Sequence, residues 1–193
     1  MRTVIRFGAL VLAIAAGLGT WWLRTAGATD VVAIQANVEV VGATPGQLAM
    51  ARWAIGRFDM AGLEPPAVEI AFHADASGCG GHFGYAKSGR VDVCTVLVNE
   101  MARRNLLQEM GHIWIDEHVS QTRRERFLEL RGLPSWNAST DQWDERGYEQ
   151  GAEIIAWALG TRILTAQIPD NDPVQLAAGF KLLTGIEPSI GAA

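Results

Sequence analysis

The apolar positions change period partway along the chain. Residues 30–42, "DVVAIQANVEVVG", are dense in β-branched side chains and predict a strand. In "TPGQLAMARWAIGRFDMAGL" the spacing becomes helical. Thr44 stands at the N-cap and Pro45 at the first helical position, and Leu48, Ala51, Ala54, Ile55 and Phe58 form one stripe before Gly62. A strand follows at 66–73, then a glycine-rich turn in "ADASGCGG". Two further strands, "HFGYAK" and "VDVCTVLV", flank a turn at Ser88-Gly89. From residue 98 the pattern is helical, with helices predicted at 98–119, 121–131, 147–163 and 173–184 and a loop from Trp136 to Asp144. In the 123–132 stretch Phe127 and Leu130 are expected to face inward and the arginines outward. The fold class is therefore α+β, and no repeat or interdomain linker interrupts it.

A chain of 193 residues, 49% of them hydrophobic, suits one domain with an ordinary core. The formal charge is −5. Without a basic stripe to neutralise phosphates, nucleic acid is excluded as a partner. Residues 1–28 have the layout of an export signal: Arg2 and Arg6, an uncharged apolar run from Phe7 to Leu23, then small residues ending at Ala28. Cleavage after Ala28 and retention as a membrane anchor, with Trp21, Trp22 and Arg24 at the interface, both fit. Either outcome places one domain, residues 29–193, outside the cytoplasm, secreted or tethered. In an oxidising compartment the only two cysteines, Cys79 and Cys94, are expected to form a disulfide, worth about 3 kcal/mol for a loop of this size.

The candidate chemistry lies in two helices. In "LLQEMGHIW" Gln108 and His112 are four residues apart, on one face, with Glu109 beside them and Gly111 permitting close approach of another element. In "ERGYEQGAEIIAWALG" Glu149 and Glu153 are also four apart, set among apolar residues where charges need partners. Two such faces could share a metal. The pairing of Q-E-M-G-H with Y-E-Q-G-A-E-I-I-A resembles the gluzincin metallopeptidases, with their H-E-x-x-H helix and later glutamate. The resemblance implies a zincin-like fold: a small, mostly antiparallel sheet packed on an active-site helix and followed by further helices. It implies zinc as cofactor, with His112 and Glu149 as ligands and Gln108 at the position of the first histidine. Glu109 would then be the general base that activates metal-bound water, and Glu153 the acid supporting the ligands. A strand near Asp92–Val96 would line the cleft.

Gln108 departs from the family pattern. A neutral amide oxygen is a poor ligand for zinc, and losing even a supporting partner of a ligand weakens metal binding by about 10- to 100-fold. Zinc is accordingly expected to be weakly held or absent, and catalysis of peptide hydrolysis weakened or lost. The alternative is a non-catalytic extracytoplasmic module that binds a peptide or protein on the same fold. Of the remaining histidines, His73 and His118 are expected to be structural or at the surface, while His82, after "CGG", could approach the cleft. Trp114, Trp136, Trp143 and Trp157 are expected to be packing residues.

Overall fold

The structure is a computed structural model that describes residues 30–161 and 166–188. The expected export segment lies outside the described residues. Among those described, no helix is long and apolar enough to cross a membrane.

The 30–42 stretch folds as two strands, β1 (Val31–Gln35) and β2 (Val38–Val41), paired antiparallel about a turn at Ala36-Asn37. After it comes helix α1 (Pro45–Met60). Thr44 caps α1 reciprocally: its hydroxyl accepts from the Gln47 amide, and the Gln47 side chain accepts from the Thr44 N–H at 2.9 Å. The apolar stripe of α1 buries Met50, Ala51, Ala54, Ile55 and Phe58. Then follow β3 (Val68–Phe72), a 3-10 turn over Ala76–Cys79, β4 (Gly84–Lys87) and β5 (Arg90–Val93). Ser88 and Gly89 both have positive φ, 52° and 76°, as a two-residue hairpin turn matched to strand twist requires.

The sheet order is β1-β2-β3-β5-β4. Two of its four pairings, β2 with β3 and β3 with β5, are parallel, so the sheet is mixed and not mostly antiparallel. The reason is connectivity. Helix α1 crosses over between β2 and β3, and the β4–β5 hairpin turns back so that β5, not β4, lies beside β3. Alternation along the strands points Val38, Val40, Val68, Ile70, Val91 and Val93 into the core and leaves Glu39, Glu69 and Asp92 on the other face.

Among the described residues, four of the five helices follow the sheet. Asn99 accepts from the Ala102 N–H at 2.9 Å and starts α2 (Glu100–His118), so the expected strand through 98 ends at Val93 and residues 94–98 form a connector. Next are α3 (Gln121–Arg131), α4 (Gly147–Leu159) and α5 (Pro173–Thr184). Helix α4 is buried on nearly every side, which explains its almost uninterrupted apolar composition. Helices α2 and α4 pack closely because Gly111 has no side chain. A Cβ there would already lie 3.4 Å from the Ala152 backbone and from Ile155. On α3, Phe127 is buried as expected, but Leu130 is 42% exposed and Arg131 is buried. Arg131 is drawn in because it donates to Gln150 at 2.8 Å and to the Asp170 carbonyl at 3.0 Å, tying down the segment before α5.

The expected disulfide joins Cys79 to Cys94, with Cα atoms 6.0 Å apart. Both cysteines are buried. The bridge pins the Ala76–Cys79 turn to the end of β5, and the chain between its ends contains the whole β4–β5 hairpin.

Candidate functional site

Between β4 and α2 lies an open cleft of about 550 Å³. Strand β4 is the sheet's edge: β5 pairs with one side of it, and no strand pairs with the other among the described residues. His82, Phe83, Gly84 and Tyr85 form the sheet-side wall, all of them inside the loop closed by the disulfide. The floor is one face of α2, Asn105, Gln108, Glu109 and His112, at the three- and four-residue spacings that align helical side chains. Trp143, Arg146, Glu149 and Gln167 complete the opposite side.

Sequence reasoning brought Gln108, Glu109, His112 and Glu149 together, and all four line this cleft. His112 is 5% exposed, and its Nε2 lies 3.2 Å from Glu149 Oε2. Tyr148 stacks on the imidazole with ring centroids 4.3 Å apart and donates its hydroxyl proton to Asp116 at 3.0 Å. Burial and the neighbouring Asp116 carboxylate push the Tyr148 phenol up, so it remains a donor. The other imidazole nitrogen, Nδ1, is buried without a hydrogen-bond partner among the described residues.

Glu109 is partly exposed and packs on Gly84 of the edge strand. A Cβ at residue 84 would come within 2.7 Å of Glu109 Oε1, so the absence of a side chain there makes room for the carboxyl. Burial, reinforced by the nearby Glu149 and Glu153 carboxylates and opposed by His112, raises the Glu109 pKa to about 7.

Glu153 is placed differently. It is 1% exposed, deep between α2 and α4, where it pairs with Arg104 and accepts from the Gln167 N–H at 3.3 Å. Burial raises its pKa, with the Arg104 charge opposing. The carboxylate that meets His112 is thus Glu149, while Glu153 holds the chain at Gln167 against the cleft.

Three residues carry signals that the sequence left ambiguous or pointed elsewhere. Trp143, expected to pack, is 40% exposed and lines the cleft, because it sits in a short 3-10 turn (Trp143–Glu145) at the entrance to α4. His82 does reach the cleft. Asn105 belongs to it too, and the three-residue spacing from Gln108 was the available signal. His73 lies elsewhere, 2.6 Å from Asp92, and His118 stacks against the buried Trp114. Asp92 faces away from the core and β4 supplies the sheet-side wall of the cleft, while Thr95 of the Asp92–Val96 stretch lines an adjoining groove.

The donor set does not fit a resident zinc ion. Catalytic zinc takes three protein ligands, normally with the second nitrogen of each histidine held by a polar partner. Here one imidazole and one carboxylate are paired with each other, a neutral amide stands at the third position, and His112 Nδ1 has no partner. Among the described residues no three His, Cys, Asp or Glu side chains are grouped so as to hold a metal.

No family model matches the chain, and neither a curated protein nor a solved structure matches it at a significant level.

Proposed function

We propose that this is an exported, metallopeptidase-like protein, resembling the gluzincins, that has lost peptide hydrolysis and kept the cleft as a metal-independent binding site for an extended peptide segment. The observation that carries the reading is that, among the described residues, an edge strand without a second partner strand faces a polar helix face without protein partners across one cleft. An edge strand offers a row of backbone donors and acceptors that an added strand satisfies, and pockets for alternate side chains give selectivity. Across from β4, the side chains of Asn105, Gln108 and Glu109 face the cleft with no hydrogen bond to the described protein. A smaller groove lined by Phe83, Leu97, Met101 and Ala102, with Thr95, Asn99 and Asn105, continues from the cleft through Phe83 and Asn105 and offers a mostly apolar surface to a side chain. The buried disulfide supports an oxidising, extracytoplasmic location, with the N-terminal segment as signal or membrane tether.

In this reading Glu109, His112 and Glu149 bind and orient rather than activate water. The test is peptide-library binding to the full chain with the disulfide intact, alongside the Gln108→His variant. The natural chain should bind extended peptides without cleaving them, and a proline that removes the peptide's central N–H should weaken binding at least tenfold. Gln108→His should acquire zinc. Zinc bound stoichiometrically by the natural chain, with peptide cleavage, would overturn the proposal.

A further inference from the structure

Resting on the peptide-binding reading, the geometry points to a chemical class for what the cleft floor holds: we propose that it receives a primary ammonium group, the N-terminus or a lysine side chain of the bound segment. The charges in the cleft are Glu109 and Glu149 against Arg146, with the imidazoles of His82 and His112. Arg146 is committed to the wall, donating twice to the Asp141 carbonyl at 3.1 and 2.8 Å. The surrounding carboxylates have their own partners: Glu153 has Arg104, and Asp116 has Tyr148 and, at 3.6 Å, Arg124. No cation of the described protein lies within ion-pair distance of Glu109, and Glu149 has only the His112 imidazole.

The remaining groups are mostly acceptors. Glu109 offers a carboxyl group and Gln108 an amide oxygen, neither hydrogen-bonded within the described residues. Glu149 has its Oε2 3.2 Å from His112 Nε2 and no other polar partner among the described residues. An ammonium carries three donors and a point charge. A guanidinium fork needs its acceptors paired in one plane, whereas a compact ammonium can be shared among acceptors on three separate side chains.

The test is calorimetric binding of matched peptides to the full chain. One pair is Ala-Ala-Phe-Ala amide with a free or an acetylated N-terminus. The other is acetyl-Ala-Lys-Phe-Ala amide and its norleucine counterpart. The expected result is that the ammonium member of at least one pair binds tenfold or more tightly, which also identifies the source of the group. That preference should disappear in Glu149→Gln and fall at least threefold in Gln108→Leu, each checked for folding by thermal unfolding. Equal binding within both pairs would overturn the ammonium inference and leave the peptide reading standing. A preference that survives both substitutions would also overturn it, as general attraction to an acidic chain. Failure of all four peptides to bind would overturn both readings.

Discussion

Helices α2 and α4 meet along two polar patches that differ in one respect. Deep between them, Arg104 and Glu153 neutralise each other, and the Gln167 N–H takes a further carboxylate lone pair. Toward the sheet, Gln108 and Glu109 present polar groups with no partner in the described protein. A buried pair that satisfies itself is explained by folding. A cleft face whose polar groups have no partner in the described protein is open to water or to an occupant from outside the chain.

Breaking the satisfied patch should have the largest effect. Arg104→Ala leaves the Glu153 carboxylate buried and unpaired, and should cost about 3–5 kcal/mol in thermal or denaturant unfolding. Replacing both partners together, Arg104→Met with Glu153→Leu, should restore most of that loss, because the penalty belongs to the orphaned charge.

The unsatisfied patch should respond in the opposite direction. Glu109 has a folded-state pKa of about 7 against its usual 4.5, so the native state holds the proton longer than the unfolded chain. Stability from this group is therefore full below pH 4.5 and declines as pH rises through 7, by about 3 kcal/mol in total. Glu109→Gln should remove that decline and make the protein more stable than the natural chain at pH 8, as read from unfolding midpoints at pH 5 and pH 8. A variant less stable at pH 8 would show that the carboxylate is satisfied after all.

The smallest effect is expected at the contact between the cleft's two walls. Gly84→Ala places a Cβ against the Glu109 carboxyl, whose chain can swing toward water. The cost should be about 1 kcal/mol, with the Glu109 pKa falling toward its usual value in a carbon-detected NMR titration.

Much of this was legible in the sequence where one local rule decided the outcome. Thr44-Pro45 announces α1, Ser88-Gly89 the hairpin, and the lone cysteine pair the bridge. The i, i+4 spacings of Gln108 with His112 and of Glu149 with Glu153 place each pair on one face of a helix. What spacing could not give was which member of the second pair meets His112. Glu149 and Glu153 look equivalent along α4, yet Arg104, 49 residues earlier in the chain, claims Glu153 and leaves Glu149 for the imidazole. Leu130 and Arg131 exchanged their expected environments for a similar reason, since the carbonyl at Asp170 that draws Arg131 inward is distant in sequence. The parallel pairing of β3 with β5 likewise follows from where the hairpin lands, which no strand pattern specifies.

The central claim is that this cleft binds without a metal. The most direct measurement is peptide affinity of the natural chain before and after exhaustive chelation, with zinc content determined on the same samples. The account predicts no stoichiometric zinc and an unchanged dissociation constant. Bound zinc whose removal abolishes peptide binding would contradict it.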